Sequence, residues 1–117
     1  MKQAYTNNIL ALLESLTEDS SHEVAKKIAD DFRARRIEKG LTRAAVSEQA
    51  GVAPANVARF EQKGLISLDN LIRLAMAMGY VSEIKNIFAD PKYSTMDELL
   101  TIRANSGKKK AYNGKRK

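Results

Sequence analysis

Regularly spaced glycines divide the middle of this 117-residue chain into short segments: Gly40, Gly51, Gly64 and Gly79. The segments begin at Thr42, Pro54 and Ser67, and each carries apolar residues at helical spacing. Threonine and serine cap the first N–H groups of a helix, proline suits its first position, and glycine adopts the left-handed conformation that ends it. Helices this short bury only one face, so they must pack against one another.

The apolar spacing predicts an all-α fold, a bundle of five to seven helices. No segment alternates convincingly between apolar and polar residues, as a strand would. The predicted helices cover residues 4–16, 22–39, 43–50, 54–62 and 68–78, with two shorter ones in 82–88 and 95–102. The expected divisions are an N-terminal helix with its linker (1–20), a central domain (21–90), a C-terminal helix (91–105) and a basic tail (106–117).

Two local patterns refine the long helix predicted over residues 22–39. Ser20 followed by Glu23 has the spacing of a capping box, which places the helix start here. Val24, Ile28 and Phe32 share one apolar face of this helix, with Ile37 further along.

The net charge of +6 is concentrated at the C-terminal end. Residues 103–117 hold seven basic residues and no acidic one, whereas the rest of the chain holds 13 basic and 14 acidic residues. A polycationic segment without apolar periodicity is expected to be disordered when free and to suit a polyanion such as nucleic acid. A tail that only aids solubility is the alternative.

Several kinds of site are excluded or poorly supported by composition. The chain has no cysteine and a single histidine, His22, so disulfides, thiolate chemistry and histidine-rich metal sites are ruled out. No phosphate-binding glycine loop is present. No apolar run approaches the ~20 residues of a membrane helix, and the N-terminus does not look like a signal peptide. We expect a cytoplasmic protein that is not an enzyme and needs no cofactor or metal.

Two short helices joined by "AGVA" form a helix-turn-helix pattern. Residues 28–80 resemble the Xre family of phage-repressor-like domains. The resemblance rests on "RARRIEKGLT", "AVSEQAGV", "VARFE" and "SLDNLIRLAMAMG", whose glycines, caps and apolar positions agree in register. It implies sequence-specific binding of double-stranded DNA by a bacterial or phage regulator, nucleoid-associated when bound. It also implies a homodimer that represses from a palindromic operator.

The resemblance places the second short helix in the DNA major groove, with its N-terminal residues at the base edges. The implied base contacts are Pro54, Ala55, Asn56 and Arg59. Asn56 could pair with adenine and Arg59 with guanine, while Pro54 offers only apolar contact. The alternative is that Asn56 and Arg59 are ordinary solvated residues of an exposed helix.

Further roles follow from the same register. The implied phosphate contacts are Thr42, Arg43, Ala53, Gln62 and Lys63. Non-specific contacts are expected from the tail residues Lys108, Lys109, Lys110, Lys115, Arg116 and Lys117. The resemblance also implies that Arg36 and Glu61 form a structural ion pair. This pair joins the helix predicted over residues 22–39 to the helix over 54–62 that enters the major groove, here called the reading helix.

The chain departs from the usual family pattern at several positions. Arg43 replaces the usual glutamine and keeps a phosphate role through its charge. Ser47 replaces a small apolar residue, so it must find a hydrogen bond if it is buried.

The spacing between Glu61 and Gly64, followed by "SLDNLIRLA", resembles more narrowly the regulators that accompany HipA-like kinase toxins. An antitoxin that binds such a kinase while regulating its own operon is therefore an alternative function. A restriction-modification controller is a further alternative.

Overall fold

The computed structural model describes Ile9 and residues 20–108. Its helices are α1 (Ser21–Glu38), α2 (Arg43–Ala50), α3 (Pro54–Lys63), α4 (Leu68–Met78), α5 (Val81–Lys85) and α6 (Met96–Asn105). No strand occurs among the described residues, and the all-α prediction is confirmed. Of the helix predicted over residues 4–16, only Ile9 is described, and it is helical. The tail beyond Lys108 lies outside the described residues.

The glycine and cap pattern locates the central helices closely. Thr42 and Ser67 cap α2 and α4 through their hydroxyl oxygens, which accept from the N–H groups of Ala45 and Asn70 at 3.0 and 3.1 Å. Ser20 and Glu23 form the predicted capping box at the start of α1. Helix α3 has no side-chain cap, and proline occupies its first turn instead.

The predicted helix over 82–88 is wrong in its extent, because α5 ends at Lys85. The following residues form turns, and the Phe88 side chain is 95% exposed. No residue of α5 is buried, so apolar packing does not hold this segment in a longer helix. Helix α6 was predicted to end at Ile102, but it continues to Asn105. Arg103 lies in its last turn, where a positive charge interacts favourably with the helix dipole.

The core lies among α1, α2, α3 and α4. Its fully buried apolar members are Ala29, Val46, Val52, Val57, Phe60, Leu74 and Met78. Phe32 of α1 meets Phe60 of α3 with ring centroids 5.4 Å apart and planes tilted by 53°. Tilted aromatic pairs of this kind add stability beyond the burial of their surface.

The face that α1 turns to the core differs from the predicted one. Ala29 and Arg36 are buried and Phe32 is half-buried, whereas Val24 and Ile28 are each 45% exposed. The contact stripe of α1 is thus rotated toward a small alanine and a charged arginine. The apolar spacing predicted that Val24 and Ile28 face the core. Because α3 approaches α1 closely, the small side chain of Ala29 lies there instead.

Ser47 is buried, and its hydroxyl donates a hydrogen bond to the carbonyl oxygen of Val52. The expectation that a buried serine at this position must find a hydrogen bond is confirmed. The bond spans the turn between α2 and α3, so this departure from the family pattern is accommodated by the turn itself.

The chain divides into two compact units, Met1–Val81 and Ser82–Lys117. In the second unit, Thr95 and Glu98 form a capping box at the start of α6. None of the described residues of this unit is fully buried. Within residues 20–108, no helix is long and apolar enough to cross a membrane.

Gly64 provides a test of how closely α3 approaches α1. Its φ is +70°, and an added Cβ would lie 3.1 Å from the backbone of Ala25 and Lys26. Gly40 has a similar φ of +72° with nothing within 4 Å of the added atom. We expect Gly40→Ala to cost roughly 1–2 kcal/mol for the left-handed conformation alone. Gly64→Ala should cost about 1–3 kcal/mol more through overpacking against backbone.

The free energies of unfolding of both variants are measured by urea denaturation. Equal losses for Gly64→Ala and Gly40→Ala would show that the approach of α1 does not constrain position 64.

Candidate nucleic-acid interface

The turn between α2 and α3 is compact and built from backbone hydrogen bonds. The N–H groups of Gly51 and Val52 both donate to the carbonyl oxygen of Ser47, at 2.9 and 3.1 Å. Gly51 has a φ of +69°, which its lack of a side chain permits. Val52 is buried in the core, so the turn is anchored and α3 starts at a defined place.

Helix α3 has two contrasting faces. Val57, Phe60 and Glu61 are buried, and this face packs against α1 and α2. The predicted base-contacting residues are all exposed: Pro54, Ala55, Asn56 and Arg59. Within the described residues, the side chains of Asn56 and Arg59 have no hydrogen bond or ion pair to the protein. Their donor and acceptor groups are therefore available to a ligand.

Asn56 and Arg59 also line a shallow, open depression of about 390 Å³ beside the start of α4. Its other lining residues are Leu65, Ile66, Ser67 and Asn70. Ser67 and Asn70 are not among the predicted site residues. The tight turn at Gly64 brings the start of α4 back beside α3, and that proximity has no signal in a single sequence.

The predicted phosphate contacts fall into two groups. Thr42, Ala53, Gln62 and Lys63 are exposed. Arg43 is different, because its side chain is only 37% exposed and its Nε donates to Glu61 Oε1 at 2.9 Å. The tail residue Lys108 is exposed, and the predicted tail contacts from Lys109 onward lie outside the described residues.

Glu61 is the centre of the charged network beneath α3. Its carboxylate is fully buried and accepts two hydrogen bonds from Arg36, from Nε at 2.6 Å and from Nη2 at 2.9 Å. The remaining Nη1 of Arg36 donates to the carbonyl oxygen of Leu41 at 2.7 Å. The structure thus brings together the two residues expected to pair, and it joins α1 to both α3 and the loop before α2.

Two further arginines reach the same carboxylate. Arg43 donates to it, and Arg33 Nε lies 4.0 Å from the same Oε1 atom with its side chain 55% exposed. Arg33 is not among the predicted site residues. Arg33 and Arg36 are three positions apart on α1 and therefore lie on neighbouring parts of one helix face, which was the available signal.

The protonation of this network is set by competition between burial and ion pairing. Burial on its own would raise the pKa of Glu61, but hydrogen bonds from Arg36 and Arg43 outweigh it and hold that pKa below its ordinary value. The hydrogen bond to Glu61 in turn raises the pKa of Arg36. Glu61 is therefore a carboxylate in the folded protein at neutral pH.

Residues 32–85, just under half of the chain, match the family model described as Helix-turn-helix, the Xre/phage-repressor-like type. The matched residues run from within α1 to the end of α5 and contain α2, the turn and α3 complete. No curated protein gives a match to the chain. The narrower resemblance to regulators that accompany HipA-like kinases stays a prediction.

The buried carboxylate gives a stability prediction. Glu61→Ala leaves Arg36 buried without its counter-charge, which costs about 3–5 kcal/mol in the free energy of unfolding. Glu38→Ala is the control, since it removes an exposed ion pair with Arg35 and should cost less than about 1 kcal/mol. The two variants are compared with wild type by thermal and urea denaturation. If Glu61→Ala had the same melting temperature as the wild type, the ion pair between Arg36 and Glu61 would not stabilise the fold.

The lowered pKa of Glu61 gives a pH prediction. A carboxyl whose pKa is lower in the folded than in the unfolded state stabilises the fold above the unfolded pKa, about 4.3 for glutamate. That contribution disappears as pH falls through the folded pKa. The stability advantage of wild type over Glu61→Gln should therefore be largest near neutral pH and shrink below about pH 4. A difference that stays constant in urea titrations between pH 7 and pH 3 would contradict this assignment.

Proposed function

We propose that the helix-turn-helix domain at residues 32–85 binds double-stranded DNA at specific sequences and makes the chain a transcriptional regulator. The observation that carries this proposal is the division of α3 into two faces. One face is buried against α1 and α2, and the other presents Asn56 and Arg59 without protein partners among the described residues. A helix held in this way offers its side chains to the base edges of a major groove.

The shape of α3 at its start supports this placement. Ala53, Pro54 and Ala55 are exposed and small, so the N-terminal end of the helix is slim. In a helix-turn-helix, the N-terminal residues of the second helix approach the bases most closely. Bulky residues here would keep Asn56 away from the groove floor.

The exposed polar groups match the chemistry of base edges. The side-chain amide of Asn56 can donate a hydrogen bond to N7 of adenine and accept one from its N6 amino group. The guanidinium of Arg59 can donate one hydrogen bond to O6 and one to N7 of guanine. Pro54 and Ala55 can offer apolar contact to a thymine methyl group.

Non-specific affinity is proposed to come from the surrounding cations and polar groups. Gln62 and Lys63 at the end of α3, and Thr42 at the start of α2, are exposed. The basic residues of the tail extend this positive charge along the chain. Phosphate contacts of this kind fix the orientation of the protein and make binding dependent on salt.

We further propose that the protein acts as a homodimer that represses transcription by occupying its operator. A single helix of ten residues presents few side chains to the bases, so one copy specifies only a short half-site. Two copies related by a two-fold axis read two half-sites, and the operator then has matching symmetry.

The proposed function is tested by selecting bound duplexes from a random DNA pool with the purified full-length protein, followed by footprinting. We expect an inverted repeat whose half-sites lie about one helical turn, ~34 Å, apart. A single asymmetric site bound by one copy would exclude the dimer. Enrichment of no sequence at all would exclude sequence-specific binding.

The role of Arg59 is tested on the selected operator. Arg59→Ala should lose roughly 1–3 kcal/mol of discrimination at one base pair of each half-site. Arg43→Ala should weaken binding to all sequences about equally, because a phosphate contact carries no sequence information. Affinities for the operator and for its single-base variants decide between these roles. They would be reversed if Arg43→Ala changed the preferred base and Arg59→Ala did not.

A further inference from the structure

We propose that Arg33 and Arg43 form a phosphate clamp, a binding site for one phosphodiester group of the DNA backbone, and that Glu61 is the residue that positions it. This inference rests on the proposed function, since the ligand is the backbone of the bound duplex. It adds a residue of α1 to the interface and gives the buried carboxylate a role in DNA binding as well as in folding.

The two arginines that bond Glu61 differ in how many of their hydrogen-bond donors the protein satisfies. Arg36 donates hydrogen bonds from Nε and Nη2 to Glu61 and from Nη1 to the carbonyl oxygen of Leu41, so its guanidinium is satisfied inside the protein. Arg43 donates only from Nε to Glu61, and neither of its Nη atoms has a hydrogen bond among the described residues. A guanidinium held by one edge presents its other donors outward, where an oxyanion can accept them.

The charges around Glu61 do not balance. One carboxylate faces the guanidinium groups of Arg33, Arg36 and Arg43, which leaves an excess of two positive charges. The buried bidentate pair with Arg36 accounts for the charge of Glu61. No other acidic side chain in the described part of the chain pairs with Arg33 or Arg43. A phosphodiester, with one negative charge, would offset half of this excess.

Lys26 does not alter this balance. Its ammonium group reaches the backbone carbonyl of Glu61 at 3.4 Å, but it is paired with the carboxylate of Asp30 at 2.6 Å.

The position of the two arginines also fits a shared phosphate. The Nε atoms of Arg33 and Arg43 approach the same oxygen, Oε1 of Glu61, at 4.0 and 2.9 Å, so both guanidinium groups adjoin one carboxylate. Both are partly exposed, whereas Glu61 is fully buried beneath them. Arg43 is the first residue of α2, and the first helix of a helix-turn-helix crosses the DNA backbone. The clamp therefore lies where a docked duplex brings a phosphate.

Glu61 couples the clamp to the reading helix. It is on α3, two positions after Arg59, so the group that holds Arg43 is part of the element that carries the base contacts. Arg43 is thereby fixed with respect to α3. A pre-oriented cation loses less conformational freedom on binding than a free surface arginine does.

The test measures affinity for the selected operator duplex across salt concentrations with full-length variants. Arg33→Gln and Arg43→Gln should each flatten the log–log salt dependence by about 0.9 and leave the preferred sequence unchanged. Arg35→Gln is the matched control, because it removes an exposed arginine of the same helix that is bonded to Glu38 instead. The control should keep the wild-type slope. A wild-type slope in Arg33→Gln would overturn the two-arginine clamp.

The positioning role of Glu61 is tested by a double-mutant cycle with Arg43 on the same duplex. If Glu61 aims Arg43, Arg43→Gln should weaken binding about tenfold in the wild-type background and less than about twofold in Glu61→Gln. Circular dichroism at the assay temperature checks that Glu61→Gln is folded. Equal losses in both backgrounds would overturn the positioning role. Should Glu61→Gln prove unfolded, Arg43→Lys replaces it. The proposal then requires weaker binding than wild type, because lysine keeps the charge but lacks the planar fork that bonds Glu61 by one edge and a phosphate by the other. Wild-type affinity would overturn the positioning role.

The outcomes separate this inference from the proposed function. Operator binding that survives with unchanged slopes in the Arg33 and Arg43 variants removes the clamp and leaves the DNA-binding function intact. A wild-type protein that binds no operator removes both.

Discussion

The buried carboxylate of Glu61 is the interaction on which the rest of the domain depends. It accepts two hydrogen bonds from the Arg36 guanidinium of α1 and a further one from Arg43 at the start of α2. One group thus connects all the elements that determine where α3 lies. A buried charge is costly when unpaired, so any arrangement that moves α3 away from these arginines is strongly disfavoured. The network specifies the position of α3 as well as contributing to stability.

The apolar core complements this charged network from the other side of α3. Val57 and Phe60 are buried, and the ring of Phe60 packs against Phe32 of α1. The close approach of α1 would place a Cβ at Gly64, the residue that follows α3, 3.1 Å from backbone atoms of α1. With one face held by rings, ions and backbone contact, α3 has little freedom to rotate. Its exposed face therefore points in a defined direction, as recognition of base edges requires.

In the proposed phosphate clamp, the charged network also links folding to DNA binding. Arg36 is satisfied within the protein, whereas Arg43 is held by one edge and has donors to spare. Ion pairs inside a fold are usually interpreted as structural, and Arg36 and Glu61 were predicted to be such a pair. Because Arg43 belongs to the same network, we propose that a single carboxylate both stabilises the fold and orients a group toward the backbone of a duplex.

The sequence by itself determined the helices of the core, because caps, glycines and apolar spacing act locally: α2 and α4 lie where they were predicted, and α3 differs by one residue. It also located the exposed residues of α3, since a short helix with one buried face leaves its other residues to solvent. Only the tertiary structure decided which face of α1 packs, where α5 ends, and that Arg33 and Arg43 meet at Glu61. These features depend on contacts between residues far apart in the chain, and local pattern carries no information about such distances.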